Sequence, residues 1–147
     1  WRKVVDIKLT GSFLCAQAVA RVLIRQGQGG KIINLSSDHG RKAGANVAAY
    51  ASANGGVQHF TTALAMDLAH QRINVNCVCP AIIDTARNDD RGYPRGEMWA
   101  EATRGVPLGR AGTPEEVAGC ILWLCSEAAD FITGQCININ GGTVMEH

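Results

Sequence analysis

Apolar segments with helical spacing alternate with short β-branched segments along the chain, and this alternation most limits the folds available to it. Residues 2–26 and 47–70 carry apolar side chains three or four positions apart, which is the spacing of one helix face. Residues 31–36, 73–79 and 135–140 are short and rich in β-branched side chains, as strands are. A helix between successive strands implies parallel strands joined by crossover helices. The sequence therefore predicts a layered α/β fold.

A further helix and a long loop separate the second and third strands. Residues 113–116 read Thr-Pro-Glu-Glu, which combines a capping Thr, Pro in the first turn and Glu three positions after the cap. We expect a helix from there to about Ser126. Residues 81–112 are rich in Gly, Pro, Arg and Asp and predict a long, partly irregular loop. Long loops are usually functional, so this region is expected to shape a substrate pocket, with Met98 and Trp99 as apolar wall candidates.

Composition and charge exclude several classes of protein. The chain has 147 residues, of which 46% are hydrophobic, and this predicts a single domain with a real core. A net charge of +1 gives no field that would attract nucleic acid or an anionic membrane. No run approaches the roughly 18 apolar residues of a membrane span, so neither nucleic acid nor a membrane is expected as a partner. The start at Trp1, without Met or a secretory segment, is expected to be a cut end or an internal start.

The six cysteines predict reduced thiols rather than a disulfide framework. They form no C-x-x-C pair, and the four histidines make no metal-ligand spacing with them. Three lie in helix-like and three in strand-like segments: Cys15, Cys120 and Cys125, then Cys77, Cys79 and Cys136. We expect buried thiols, no metal site and a cytoplasmic location.

Ser37 and Tyr50 are the residues best placed for chemistry. Ser37 follows the strand at 31–36, and the carboxyl ends of parallel strands face the ligand crevice of open α/β sheets. Tyr50 lies near the start of the next helix and shares a face with Asn54, four positions on. A hydroxyl and a phenol so placed could together hold a carbonyl oxygen. The alternative is structural, with Ser37 capping a turn and Tyr50 a half-buried aromatic.

Motifs along nearly the whole chain resemble the carboxyl-terminal half of the short-chain dehydrogenase/reductase family. They lie in order and at the family's spacing: 33–37 (INLSS) with Gly40, 50–53 (YASA), 75–80 (VNCVCP) with Thr85, 109–110 (GR), 114–118 (PEEVA), 132–135 (ITGQ) and 141–142 (GG). The resemblance implies a partial Rossmann-like three-layer α/β fold, the carboxyl-terminal half of a doubly wound sheet. It also implies hydride transfer between NAD or NADP and a small-molecule carbonyl or alcohol.

The resemblance implies a role for each matching residue. Tyr50 would be the general acid/base, and Ser37 would hold the substrate oxygen. Tyr50, Pro80, Ile83 and Thr85 would contact the nicotinamide end of the cofactor. Hydride transfer to a carbonyl builds negative charge on its oxygen, which a phenol proton can neutralise.

Three positions depart from the family's pattern. Asn54 stands where the family has lysine, and Lys8 stands where the family has asparagine. A lysine lowers the pKa of the tyrosine and binds the nicotinamide ribose, and an amide does neither as well. Either the two positions changed independently, or the ammonium of Lys8 reaches the site formed by Tyr50 and Asn54. Ala81 replaces the family's glycine after Pro80, which restricts the backbone beside the nicotinamide.

The family's phosphate-binding loop, TGxxxGxG, and its NNAG segment are absent from the sequence. The glycines at 27–30 follow a helix and precede a strand, the reverse of the order that presents a helix N-terminus to a pyrophosphate. The chain is therefore expected to be one truncated domain, 1–147, that lacks most of the dinucleotide site and leaves the strand at 31–36 with an open edge. Its reductase activity is expected to be impaired or repurposed.

Two other functions stay open. One is an esterase-like hydrolase needing no cofactor, in which Ser37 attacks an ester with Tyr50 as base and Lys8 as electrostatic helper. A triad with Asp38 and His39 is not expected, since adjacent side chains diverge along an extended chain. The other is a non-catalytic module that forms a homo-oligomer through the helices at 2–26 and 47–70. Small residues such as those at 51, 53, 55 and 56 would allow close helix approach.

Overall fold

The computed structural model describes residues 1–42, 44–85 and 97–145, with only the backbone described at 97–99. Within this part of the chain, helices and strands follow the predicted order, with one further helix in the segment predicted to be a loop. They are helix α1 (Arg2–Gln26), strand β1 (Gly30–Leu35), helix α2 (Ala48–Leu68), strand β2 (Ile73–Pro80), helix α3 (Glu97–Arg104), helix α4 (Pro114–Leu124) and strand β3 (Cys136–Ile139). Short 3-10 helices lie at Asp38–Gly40, Ala69–Gln71 and Glu127–Ala129.

The strands form one parallel sheet in the order β1-β2-β3. In register, Gly30 faces Ile73 across the first pair, and Cys77 faces Cys136 across the second. The central strand β2 is buried along most of its length, as is usual where a parallel strand is covered on both faces. The alternation of β1 places Ile32 on one face and Ile33 on the other. The predicted parallel α/β layering is confirmed.

The core divides into two layers on opposite faces of this sheet. On one face, residues of α1 and α2 pack on β1 and β2: Ala16, Ala20, Ala65 and Leu68 on Ile32, Ile73 and Val75. On the other face, Val78 packs with Leu124 of α4 and with Ala129. Each fully buried Val, Leu or Ile side chain among these contributes about 1.5–3 kcal/mol. Three layers result, with the sheet in the middle.

Helix α1 contains a π-turn at Asp6–Thr10. The wider turn disturbs the regular hydrogen-bond ladder, and the Ser12 hydroxyl donates to the Lys8 carbonyl oxygen at 2.6 Å. The helix ends at Gly27, whose φ of 67° is left-handed and favours glycine. The turn at the amino-terminal end of α1 therefore has the irregular geometry that often marks functional positions.

By length and composition, α1 could cross a membrane, with a mean hydropathy of 1.4 over an 18-residue window that is 11% buried. The expectation that no segment approaches a span was therefore too strong. The same criterion is met by core helices and signal sequences, so it is weak evidence for a membrane protein. Much of this apolar surface faces away from the rest of the described chain.

Helix α4 begins as predicted and ends two residues earlier, at Leu124. The Thr113 hydroxyl accepts from the Glu116 N–H at 3.3 Å, and the Glu116 carboxylate accepts from the Thr113 N–H at 2.8 Å. Arg110 donates to both carboxylate oxygens of Glu116, at 2.6 and 2.9 Å. The two Arg110 hydrogen bonds, followed by that from Thr113, lower the pKa of Glu116 to about 2.

The region at 81–112 contains the eight-residue helix α3 and is thus only partly irregular. Residues 86–96 lie outside the described part of the chain, and so do the side chains of Met98 and Trp99 proposed as pocket walls.

Candidate active site

Several predicted site residues lie together at the end of the sheet where the strands have their carboxyl ends. Ser37 comes shortly after β1. The pairing of β1 with β2 extends to Ser36, whose N–H donates to the Val78 carbonyl at 2.9 Å. Pro80 ends β2, and the next residue is hydrogen-bonded to Ile139 of β3. Tyr50 lies in the first turn of α2, the helix that begins at this end of the sheet. Parallel α/β sheets bind ligands at the carboxyl ends of their strands.

Ser37 and Tyr50 both contact His39. The Ser37 hydroxyl accepts from the His39 backbone N–H at 3.2 Å, and the rings of His39 and Tyr50 meet edge to face with their centroids 6.0 Å apart. Ser37 is buried and caps the 3-10 helix Asp38–Gly40, which is the structural role that the sequence offers as its alternative. Tyr50 is 37% exposed, which leaves its phenol open to a ligand. Ser37 thus contacts the backbone of His39, and Tyr50 contacts its ring.

Asn54, at the family's lysine position, is fully buried. Its amide donates to the Tyr50 carbonyl oxygen at 2.8 Å, and its own carbonyl accepts from the Ser36 hydroxyl at 2.9 Å. Asn54 therefore ties the start of α2 to the segment after β1. It supplies no positive charge to the phenol.

Lys8 lies half-buried in the π-turn of α1. Its neighbour Leu9 packs against α2 so closely that a Cβ on Gly56 would come within 2.8 Å of a Leu9 methyl carbon. This segment therefore contacts the helix that carries Tyr50. Within the described residues, the Lys8 ammonium makes no hydrogen bond or ion pair. Its action on Tyr50 stays a prediction.

A buried glutamine that the sequence analysis missed supports Ser37. Gln58 donates through its amide to the Ser37 carbonyl at 2.8 Å and to the Ser36 hydroxyl at 3.1 Å. Arg41 in turn donates to the Gln58 side-chain oxygen at 3.2 Å. Gln58 lies one turn after Asn54 on the same helix face, and this spacing could have revealed it. Gly40 leaves the room that the Gln58 amide occupies.

Asp38 and Thr143 form a second contact network beside Ser37 that the sequence did not predict. The buried Asp38 carboxylate accepts from the Ser37 hydroxyl at 3.3 Å and from the Thr143 hydroxyl at 3.1 Å. The His39 ring nitrogen Nδ1 lies 3.4 Å from the Lys42 carbonyl instead of near Asp38. The Ser37 hydroxyl thus points to a carboxylate rather than to an imidazole, and a Ser-His-Asp triad is not formed, as the sequence indicated.

The segment after β2 is held in place by the residues just before α4. Ile83 and Gly112 form an isolated parallel bridge, with hydrogen bonds from Gly112 to Ile82 and from Asp84 to Gly112. Thr85 is the last described residue before the gap. Ile83 is therefore fixed beside the end of β2, where the resemblance implies nicotinamide contact.

A cavity of about 420 Å³ lies beside this segment and is distinct from the Ser37 and Tyr50 contacts. Its walls include Ile82, Val106 and Gly142, together with Asn138 of β3. The Asn138 side-chain oxygen is buried and has no hydrogen-bond partner among the described residues. A second depression, around Lys31 and Phe131, lies at the opposite end of the sheet. Within the described chain, no group of three or more His, Cys, Asp or Glu could hold a metal.

The family model described as enoyl-(acyl carrier protein) reductase matches residues 1–144. The chain belongs to the short-chain dehydrogenase/reductase family. It is 37% identical over 145 residues to the uncharacterized oxidoreductase YohF of Escherichia coli, covering 99% of this chain and 56% of that protein. It is 40% identical over 147 residues to a 3-oxoacyl-[acyl-carrier-protein] reductase of Synechocystis, covering 99% of this chain and 56% of that one.

Solved structures agree with the fold. Acetoin dehydrogenase from Enterobacter cloacae superposes with a TM-score of 0.85 at 32% identity, covering 97% of this chain and 54% of that protein. The predicted family and the predicted Rossmann-like α/β class are confirmed. The chain spans about 56% of the length of the curated relatives it matches.

Proposed function

We propose that this chain supplies the substrate-holding and proton-transferring part of an oxidoreductase that moves hydride between NAD or NADP and a small carbonyl or alcohol. Family membership supports the reaction class. The observation that carries the proposal is that Ser37, after β1, and Tyr50, in the first turn of α2, both contact the 3-10 helix Asp38–Gly40 at the carboxyl end of the sheet.

The surroundings of Ser37 and Tyr50 suit a carbonyl oxygen. The hydrogen bond from Ser37 to Asp38 is long, at 3.3 Å, so the hydroxyl proton is available to a substrate oxygen that approaches more closely. The exposed Tyr50 phenol would donate its proton to the same oxygen as negative charge develops there. Gln58 and Asn54 hold the two segments that carry these groups in fixed relation.

The residues present fit only the nicotinamide end of a dinucleotide. Pro80 ends β2, Ile83 and Thr85 follow it at the carboxyl end of the sheet, and Ile83 is held by its bridge to Gly112. No glycine-rich turn from a strand into a helix, suited to a pyrophosphate, occurs among the described residues. When bound, the nicotinamide would supply or accept the hydride. We propose that the rest of its site comes from chain outside these 147 residues or from a companion chain.

Asn54 favours one direction of the proposed reaction. Reduction needs a neutral phenol that donates its proton, whereas alcohol oxidation needs a phenolate that accepts one. A buried amide bonded to the Tyr50 carbonyl gives a phenolate no charge stabilisation. We therefore propose that carbonyl reduction is retained better than alcohol oxidation.

Nucleotide binding is the first test. NADH and NADPH are titrated into the purified chain and followed by nucleotide fluorescence. Acetoin-type hydroxyketones and 3-oxoacyl thioesters, suggested by the relatives, are then screened as substrates. We expect weak binding, because only the nicotinamide end of the site is present, with Tyr50→Phe and Ser37→Ala slowing turnover about 10²-fold or more. Ser126→Ala, at an exposed serine just after α4, should leave turnover unchanged. Turnover that is unchanged in both Tyr50→Phe and Ser37→Ala would refute the proposed roles of these residues, and tight, saturable nucleotide binding by the chain alone would refute the proposal that the rest of the cofactor site lies elsewhere.

The exposed apolar surface of α1 supports a second proposal, a homo-oligomer formed through α1 and α2. The exposed side chains on α1 are Ile7, Phe13, Leu14, Val19, Val22 and Ile24. A surface this apolar is usually covered by protein. Sedimentation should show a concentration-dependent oligomer that Leu14→Glu weakens and Phe131→Glu, at a fully exposed site after α4, does not. A concentration-independent monomer, or partition of the chain into lipid vesicles, would contradict this proposal.

We also propose a cytoplasmic location. It is supported by the six cysteines, all of which are free thiols.

A further inference from the structure

The cavity of about 420 Å³ near the carboxyl end of β3 is not used by the proposed reaction. Its walls come from three segments: Ile82 after β2, residues 106–110 after α3, and residues 138–142 at the end of β3. We call it the β3 cavity. Its volume lies within the range of roughly 300–1,000 Å³ that is typical of small-molecule sites.

Backbone hydrogen bonds hold the walls of the β3 cavity together. The Leu108 N–H donates to the Gly141 carbonyl at 3.1 Å, and the Gly112 N–H donates to the Ile82 carbonyl at 3.0 Å. Gly141 has a left-handed φ of 60°, and a Cβ there would lie 2.5 Å from a Val106 methyl carbon. Only glycine permits so close an approach of the two segments. The cavity is therefore formed by the fold itself, as ligand sites usually are.

The lining of the β3 cavity is mostly apolar, and its charges are paired. Apolar side chains include those of Ile82, Val106 and Leu108. The charged residues of the lining are Arg110 and Glu116, and Arg110 donates to both carboxylate oxygens of Glu116, at 2.6 and 2.9 Å. Because each of these charges already has its opposite beside it, the walls favour a neutral ligand over an ion.

One polar atom in the wall lacks a partner. The Asn138 side-chain oxygen is buried and has no hydrogen-bond partner among the described residues. Asn140, two positions on, donates to the Val144 carbonyl at 3.0 Å and accepts from the Gly142 N–H at 2.9 Å. A buried acceptor without a donor is unfavourable, and the last torsion of an asparagine side chain is soft. The Asn138 amide can therefore turn its oxygen to a donor placed in the cavity.

We propose that the β3 cavity binds a neutral small molecule with an apolar body and a hydroxyl or N–H group that donates to the Asn138 side-chain oxygen. The apolar body would remove water from the walls, which is favourable. Two wall residues lead directly into the candidate active site. Ile82 precedes Ile83, and Gly142 precedes Thr143, whose hydroxyl donates to Asp38. A ligand here would rest against both segments, whatever reaction the site catalyses.

Two isomeric probes test the proposed chemistry. Hexanol and methyl pentyl ether contain the same atoms, but only the alcohol donates a hydrogen bond. Each is titrated into the isotope-labelled chain, and backbone amide signals are followed by NMR. Hexanol should shift signals of the wall residues and saturate at millimolar concentration. The ether should bind about tenfold more weakly, because it leaves the Asn138 oxygen without a donor. Hexanoate should also bind more weakly than hexanol, because the walls offer it no unpaired cation.

Substitutions locate the binding. Leu108→Trp, at a wall position that is 70% exposed, should narrow the cavity and abolish the hexanol shifts. Leu122→Trp is the matched control, since Leu122 on α4 is 71% exposed and is not a wall residue. Asn138→Leu should bind the alcohol and the ether about equally.

Three results would overturn the proposal: equal affinities of the two isomers for the unsubstituted chain, shifts centred away from the cavity walls, or unchanged hexanol binding in Leu108→Trp. None of these measurements depends on Asn138→Leu, so they remain decisive if that variant fails to fold. None depends on enzymatic turnover either, so the outcome is independent of the proposed oxidoreductase function.

Discussion

Gly40→Ala is expected to disrupt the support of Ser37 through a single added methyl group. A Cβ at this position would lie 2.2 Å from the Gln58 amide nitrogen, 2.7 Å from its Cδ and 3.0 Å from the Asn54 backbone carbon. The Asn54 backbone belongs to α2 and cannot move without the helix. The Gln58 side chain must therefore leave its place and lose its hydrogen bonds to Ser36 and Ser37.

The cost follows from those two bonds. Each buried hydrogen bond contributes about 0.5–1.5 kcal/mol, and a buried group left without a partner costs about 1–3 kcal/mol. The displaced Gln58 amide would be such a group, whereas the Ser37 carbonyl would keep its hydrogen bond from the Gly40 N–H at 3.0 Å. We expect Gly40→Ala to lower the free energy of unfolding by about 3 kcal/mol or more.

Urea unfolding followed by circular dichroism measures this change. Gly119→Ala is the matched control, because a Cβ there meets nothing within 4 Å and α4 should gain about 0.5–1 kcal/mol from the exchange. Gln58→Ala removes the clashing atoms, so adding Gly40→Ala to it should cost about 1 kcal/mol at most. A loss below about 1 kcal/mol for Gly40→Ala alone, or full additivity with Gln58→Ala, would refute the reasoning.

Two further predictions concern charged residues. The pKa of Glu116 is held at about 2 in the folded chain, below its unfolded value. Its stabilising effect is therefore fully present above about pH 4.5 and lost as the pH falls toward 2. Acid titration of the unfolding transition should show this loss in the unsubstituted chain and a flatter profile in Glu116→Gln; equal profiles would contradict it. If the Lys8 ammonium acts on Tyr50, Lys8→Ala should lower carbonyl reduction while Lys3→Ala, at an exposed position in the same helix, should not. Equal rates of carbonyl reduction in the unsubstituted chain, Lys8→Ala and Lys3→Ala would refute the hypothesis that the Lys8 ammonium reaches the site formed by Tyr50 and Asn54.

Local patterns predicted most of the fold. Apolar and polar residues alternate at the start of β2 because the two faces of the strand contact different parts of the protein. The capping residues at 113–116 form hydrogen bonds with backbone groups within four positions of one another. Both depend on near neighbours in the chain, so the sequence contains them directly. The same holds for Ser37 and Tyr50, which lie at the ends of recognisable elements.

The missed features depend on distant pairings. Whether Cys136 faces Cys77 is decided by the register of β2 and β3, and a shift of one residue would send it to the other face. Thr143 bonds to Asp38 across 105 positions, which no local pattern encodes. Helix α3 lies in a segment whose Gly, Pro and charged residues predict irregular structure. Its existence was missed because composition over thirty residues averages out an eight-residue helix.

The hydrogen bond from Thr143 to Asp38 also sets the order in which the site can be completed. A ribosome releases Asp38 long before Thr143, 105 residues later. Until then, β1 and β2 can pair and α2 can pack, but the Asp38 carboxylate lacks one of the two side-chain donors that it has in the described structure. Burying a carboxylate is costly unless it is hydrogen-bonded. A chain cut after β3 would lack the Thr143 donor, so the buried Asp38 carboxylate beside Ser37 would be less well satisfied. A change at the carboxyl-terminal end of the sequence would in this way reach the candidate site.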